Sequence, residues 1–461
     1  MDQARFRHGA WHRVDTLRLA LALLFCLANA LIFAHTSPGL HFTEDTQGYL
    51  TITREALGGG LHTLDLRLPG YGLFLIPFFT GEGLNLAALV ATQCLLAVAA
   101  AYLGQWIYDD MAGKRGVAVF ALSLFCIGTV SSCQTAMTES LYTFAFMAHC
   151  WALLRFLRTR RPADFALAAL CAAVAALIKG LGVSVFAVST LFCIARLAWD
   201  RDLRALRALT AGGLLAFALP IGLFLAYKHG QTGSMSLVPE RYAVINAGEY
   251  VASLEGKLAG YPMPGIVELR LRGQEATRAE LGISREQWDA MTQAEHDQLA
   301  YSNLMRIIWS YGPAKLARAL AFSAYALFAD DPGAVLPLLG LPDVKLYRAV
   351  EAFRATSGRE LALAAACVLF KAAVYLYVLA KFAAYLFAAG RFSLGRKTLA
   401  GWFIALHVAA AFGIINFMGS SRFRVPLDPL LFAFVWHQLH DFWAGRACAR
   451  RAPAETSRSL P

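Results

Sequence analysis

Two adjacent carboxylates, Glu44 and Asp45, follow an apolar run by about ten residues. Tyr49, the glycines at 58–60, His62 and Arg67-Leu68-Pro69-Gly70-Tyr71 come soon after. A carboxylate near a membrane boundary is partly desolvated, which raises its pKa toward the value a general base needs. Glu139 lies in the shortest connection between two apolar runs, where an ionisable group is costly and a functional candidate by default. Lys179 interrupts Ala-Leu-Ile-Lys-Gly-Leu-Gly and calls for an anionic partner, a role that a phosphate and Glu139 both fit. Arg67, Arg422 and Arg424 complete a basic set whose guanidinium forks suit a phosphate. Each residue also has a plainer reading: a solvated loop acid, a carboxylate reaching for the surface, a solvated loop histidine at His41 or His62.

The elements that must position these groups follow from composition. The chain has 461 residues, 58% apolar and only 16% charged, with mean hydropathy +0.50. Soluble domains are about 25% charged and about 45–50% apolar with glycine included. The expected class is therefore an all-α integral membrane protein. Nine cysteines lie mostly within apolar runs, without CxxC or Cys/His ligand spacing, so neither a disulfide framework nor a zinc site is indicated. The net charge of +11 is arranged in clusters beside apolar runs, and no nucleic-acid partner is expected.

Spans are predicted at 17–34, 84–107, 116–134, 137–155, 163–179, 181–198, 208–227, 361–388, 398–416 and 425–443. Basic clusters precede the first of these and punctuate alternate connections (114–115, 155–161, 196–207, 391–397 and 446–451). By the positive-inside rule, this predicts about ten transmembrane helices with both termini cytoplasmic and the candidate residues on the external face. Segment 313–329 would break that alternation if it crossed, so it is expected as an interfacial helix. The organisation is then an N-terminal transmembrane module, 1–227, containing the catalytic first external loop, 35–83. An external α-helical cap follows at 228–360, then C-terminal spans at 361–445 and a cytoplasmic tail at 446–461.

Asp45-Thr46-Gln47-Gly48-Tyr49, the glycine run and Arg67-Leu68-Pro69-Gly70-Tyr71 resemble, in order and spacing, the first external loop of the GT-C superfamily. These polytopic glycosyltransferases use polyprenyl-phosphate sugars, and include protein O-mannosyltransferases and lipid A aminoarabinose transferases. Thr138-Glu139-Ser140-Leu141-Tyr142 resembles the family's second acidic motif. Ser421-Arg422-Phe423-Arg424-Val425-Pro426 resembles the run that opens its last span. Gly72 stands where proline is usual, and Glu44 beside Asp45 leaves two candidates for the base; alignment on Tyr49 favours Asp45. Residues 228–360 match nothing in the family.

The resemblance implies an inverting transfer of a sugar from a polyprenyl-phosphate donor to an acceptor hydroxyl in a cytoplasmic (inner) membrane. Catalytic candidates are Asp45, Glu44 and Glu139. Arg67, Lys179, Arg422 and Arg424 would hold the donor phosphate, and Tyr49, Tyr71 and His62 would line the substrate loop. Expected partners are the lipid bilayer, the lipid-linked sugar and a glycan, lipid or protein acceptor. No cofactor is implied with certainty. A divalent metal on Glu44, Asp45 and Glu139 is the lesser reading, since no Asp-x-Asp is present. The absence of GxxxxGK[ST] fits a lipid rather than a nucleotide donor. Rival readings are a polyprenyl-lipid or solute transporter with an external headgroup site, and a non-catalytic relative that binds lipid-linked sugar.

Overall fold

The structure is a computed structural model. It describes residues 5–62, 64, 67–80, 83–209, 213–233, 281–291, 308–328, 336–339, 357–394, 399–415 and 425–451, with a few isolated positions between. Its helices are α1 Arg5–His35, α2 Glu44–Leu57, α3 Pro69–Leu75, α4 Leu86–Ala112, α5 Ala118–Phe125, α6 Ile127–Gln134, α7 Glu139–Thr159 and α8 Pro162–Ile178. They continue as α9 Leu181–Trp199, α10 Leu203–Ala208, α11 Leu214–Thr232, α12 Arg285–Ala290, α13 Gly312–Phe328, α14 Gly358–Leu394, α15 Leu399–Ile415 and α16 Asp428–Arg451. Two two-residue strands, Phe79–Thr80 and Gly83–Leu84, pair antiparallel before α4.

Every apolar run expected to span contains helix, as it must where the bilayer offers backbone groups no partner. Among the described residues, five helices are long and apolar enough to cross: Val14–His35, Leu86–Ala112, Glu139–Thr159, Leu181–Trp199 and Gly358–Ser393. The expected figure of about ten is not established, and the reasons are local. The run 116–134 breaks at Cys126, whose extended backbone separates two eight-residue helices. Helices α8 and α15 have 17 residues each, about 26 Å against a hydrocarbon core of about 30 Å. Helix α11 ends in Tyr227-Lys228-His229-Gly230-Gln231-Thr232, and α16 carries His437, Gln438, His440 and Asp441 within its run. Helix α13 lies where the interfacial helix is expected. Much of the cap falls outside the described residues, including 238–277, 329–335 and 342–356.

Small side chains set the centre of the bundle. Ala168, Ala169, Ala172, Ala173, Ala175 and Ala176 are buried where α8 meets its neighbours α7, α9 and α11, while Leu167, Leu170 and Val174 on the same helix are exposed. Close approach through such residues is how membrane helices gain packing energy.

Ion pairs gather at one end of this bundle. Arg18 on α1 is buried, pairs with Asp109 on α4 at 2.6 Å and donates to the Gly116 carbonyl. Arg158 meets Asp110 at 2.7 Å, Arg155 meets Asp164 at 3.2 Å and Arg160 meets Asp200 at 2.6 Å. These last three join the C-terminal end of α7 to the ends of α4 and α9 and to the N-terminus of α8. The opposite end, where α7 begins and α8 stops, carries α2 and α3.

Helix α3 starts with Pro69 at its first position, where a missing N–H costs nothing. It rests on the end of α8 through Gly70: a Cβ there would stand 2.7 Å from the Leu177 carbonyl carbon and oxygen. Gly70→Ala is therefore expected to destabilise the protein by about 1–3 kcal/mol, because backbone cannot move aside as a side chain can. Thermal melting in detergent micelles measures this, and a wild-type melting curve would contradict so close a contact.

Candidate active site

The first loop is knitted to the turn before α7 by short hydrogen bonds. Thr43 precedes α2, and its N–H donates to Thr46 Oγ1 at 2.9 Å, satisfying an otherwise orphaned donor at the helix start. Thr46 Oγ1 in turn donates to the Ala136 carbonyl at 3.1 Å. The Ala136 N–H donates to the His41 carbonyl at 2.9 Å, and His41 Nδ1 bonds the Gln134 carbonyl at 2.6 Å. Asp45, second residue of α2, and Glu139, first residue of α7, are thus anchored to one segment of chain.

Helices α2 and α3 pack as a unit. Thr53 Oγ1 donates to the Gly72 carbonyl at 2.8 Å, and a Cβ on Gly72 would collide with Ile52. Gly72, the departure from the family's proline, is therefore a position where the two helices touch. The Tyr49 and Tyr71 rings meet edge to face with centroids 5.0 Å apart. Tyr71 is buried and donates to Gln93 Oε1 at 3.1 Å; Gln93 Nε2 donates at 3.0 Å to both the Cys133 and Thr135 carbonyls. Burial pushes the Tyr71 phenol well above its ordinary pKa, with the charge of Glu139 and then Tyr49 adding to it. The phenol therefore keeps its proton as a donor, and Glu139 is close enough to act on it.

Two acid–cation pairs result. Arg67 pairs with Asp45, and its guanidinium carbon lies 5.4 Å from the centroid of the Tyr49 ring. Arg67 reaches Asp45 by lying across Gly48, where a Cβ would stand 3.1 Å from its Cγ and Nε. Lys179, at the end of α8, pairs with Glu139 at 2.9 Å, and its Nζ lies 5.7 Å from the centroid of the Tyr142 ring. Helix N-terminal amides favour both acids, and the α8 C-terminus favours the lysine. Exposure separates the pairs. The Asp45 and Arg67 side chains are 26% and 23% exposed, whereas Glu139 and Lys179 are 3% and 14% exposed. Of these two acids, Asp45 is the one a substrate can reach. The carboxylate expected to be partly desolvated is about a quarter exposed and ion-paired.

The remaining candidates are placed as follows. Tyr49 and Tyr71 sit beside the Asp45–Arg67 pair. His62 is exposed; its N–H donates to Glu55 Oε2 at 2.8 Å. Glu55 lies in the last turn of α2, so His62 belongs to the other end of that helix from Asp45. The Glu44 side chain, Arg422 and Arg424 are outside the described residues. The residues after Arg424, Val425–Leu427, form a buried turn, and Val425 fills the space beside Gly128. Among the described residues, no three His, Cys, Asp or Glu side chains come together as a metal-binding group.

Sequence reasoning passed over Gln93, whose three hydrogen bonds hold Tyr71 to the chain before Glu139. An amide inside the apolar run 84–107, which also holds Asn85 and Gln105, was the available signal. Tyr142 and Gly48 were quoted as parts of motifs, without their contacts.

No protein-family model and no curated protein matches this chain. Among solved structures, 94% of the chain aligns with 51% of the chain of an oligosaccharyltransferase from Archaeoglobus fulgidus in the apo form. The identity is 15% and the TM-score 0.48, so the chain spans about half the length of that protein. No residue role is taken from this likeness.

Proposed function

We propose that this protein transfers a sugar from a polyprenyl-phosphate carrier to an acceptor hydroxyl at the outer boundary of a cytoplasmic membrane. The observation that carries this reading is the pair of acid–cation contacts, each beside a tyrosine, at one end of the helix bundle. In the absence of an anionic substrate each cation rests on an acid. A lipid phosphate competes for Arg67 and Lys179, and its arrival releases Asp45 next to the reacting centre. The acceptor oxygen then forms its bond to the anomeric carbon and its proton passes to Asp45. The anomeric carbon–oxygen bond to phosphate breaks, and the departing phosphate keeps that electron pair. Arg67 and Lys179, joined by Arg422 and Arg424, stabilise the growing charge. A single displacement inverts the anomeric centre.

In this reading Tyr49 and Tyr71, both buried, brace the substrate loop from behind the Asp45–Arg67 pair, and Glu139 holds Lys179 until phosphate binds. The four cations take the part that a divalent ion on Asp45 and Glu139 plays in the alternative. Both termini are cytoplasmic, and the cap 228–360 shapes the acceptor side.

The test is mass spectrometry of envelope glycolipids and glycans from a strain lacking the gene, with and without the wild-type copy. One sugar should be missing and then restored. A deletion profile unchanged in composition would sink the reading.

One observation favours the transporter reading. Lys371 and Lys381 are buried, 7% and 6% exposed, within the long helix α14. Purified protein given a radiolabelled polyprenyl-phosphate sugar and acceptor separates the two. A transferase releases free polyprenyl phosphate and a transporter releases none.

A further inference from the structure

Away from these pairs, three buried polar side chains join α7, α9 and α15. His149 Nε2 lies 2.7 Å from Ser189 Oγ, and Ser189 Oγ lies 2.7 Å from His407 Nε2. At the outer ends, His149 Nδ1 lies 2.8 Å from the Ala168 carbonyl, and His407 Nδ1 lies 2.8 Å from the Phe403 carbonyl. All three side chains are buried, at 1%, 0% and 2% exposed. Phe403 packs on the His407 ring with centroids 4.0 Å apart, and Phe146 lies at 6.2 Å.

Counting hydrogens across this chain gives an odd result. There are four contacts at hydrogen-bond distance, and each needs one hydrogen. Two neutral imidazoles and one hydroxyl supply three between them. The carbonyls at the ends only accept, so both Nδ1 atoms must carry hydrogen and both Nε2 atoms are then acceptors. Ser189 can satisfy one of them. The other faces an oxygen lone pair at 2.7 Å. Exchanging tautomers moves the mismatch along the chain without removing it.

We propose that His149, Ser189 and His407 form a binding site for a single proton between α7, α9 and α15. The added proton makes one ring an imidazolium whose Nε2–H donates to Ser189, while the Ser189 hydroxyl donates to the other ring. All four contacts are then hydrogen bonds and the charge is shared between two rings. Completion of the fourth bond is what must offset the cost of a cation among apolar side chains. His407 is a buried polar tie between α15 and the α7–α9 layer, so occupancy governs how firmly α15 is held.

Among the described residues no carboxylate bonds either ring. Titratable groups on the surrounding elements include Glu139, Tyr142 and Cys150 on α7, Asp164 and Cys171 on α8, Cys193 and Arg196 on α9, Lys371, Lys381 and Tyr385 on α14, and Asp428, His437 and Asp441 on α16. Arg160, at the end of α7, acts on Cys193.

The test uses the full chain labelled with ¹⁵N-histidine in phosphatidylcholine bilayers. Imidazole ¹⁵N spectra are followed from about pH 8 to about pH 5, the range in which an ordinary imidazole gains its charge. Wild type should take up one proton at a ring hydrogen-bonded through both nitrogens. Ser189→Ala and His407→Gln should each abolish that signal, with near-ultraviolet circular dichroism confirming the fold. If Ser189→Ala does not fold, His407→Gln alone decides. Two neutral rings across the whole range in wild type, or survival of the signal in either folded variant, overturns the proposal.

Discussion

Asp45→Asn is expected to lower sugar transfer by about a hundredfold to ten-thousandfold, the usual contribution of a positioned general base. Asparagine keeps the size of the side chain and an oxygen facing Arg67, but it cannot take the acceptor proton. Melting should change little, because a partly exposed pair such as Asp45–Arg67 contributes about 0–1 kcal/mol. Loss of transfer with the fold intact is thus the signature of the base. Glu44→Gln is the control and should keep transfer within several-fold of wild type. The measurement is the glycolipid profile of the deletion strain carrying each variant at equal membrane level. Full restoration by Asp45→Asn together with loss by Glu44→Gln would exchange the two roles. Restoration by both would remove the first-loop carboxylates from the chemistry.

Several features of this arrangement were visible in the sequence because they are local. The acid, the tyrosine four residues later and the Arg-x-Pro-Gly-Tyr run lie within thirty residues. Lys179 was conspicuous because a charge inside Ala-Leu-Ile-Lys-Gly-Leu-Gly needs an anion, and Glu139 was one of two partners on offer. Apolar runs indicated where helices lie, since hydropathy dominates inside a bilayer. The break at Cys126 was invisible for the same reason. Its neighbours are as apolar as any helix interior, and the interruption shows only in an extended backbone. Contacts between distant segments were likewise illegible. Gln93 reaches Cys133 and Thr135, and Ser189 reaches His149 and His407, across separations that no periodicity records. The glycines at 48 and 70 read as turn or motif residues. Their part is to let Arg67 and the end of α8 come close, which requires the fold to be known.

Lys179 and Glu139 allow the structural and catalytic uses of one ion pair to be separated. Glu139→Gln takes from Lys179, only 14% exposed, the carboxylate 2.9 Å away. Lys179→Met takes that ammonium from Glu139, only 3% exposed. Each single change is expected to destabilise by about 3–5 kcal/mol, because breaking a buried pair leaves an uncompensated charge. The double variant removes both charges, and Met follows the shape of the lysine stem. It should lose less than the sum of the singles, with a coupling of about 1–3 kcal/mol between two groups in direct contact. Melting temperatures of the four proteins measure that coupling; strictly additive losses would mean that the two side chains do not pair. Transfer should behave differently. If Lys179 holds the donor phosphate, the double variant regains stability and remains inactive, since methionine offers the leaving group no charge. If the pair serves only to hold α7 against α8, stability and transfer recover together. The first outcome makes the Glu139–Lys179 contact the resting state of a phosphate site, and the second confines the chemistry to Asp45 and the arginines.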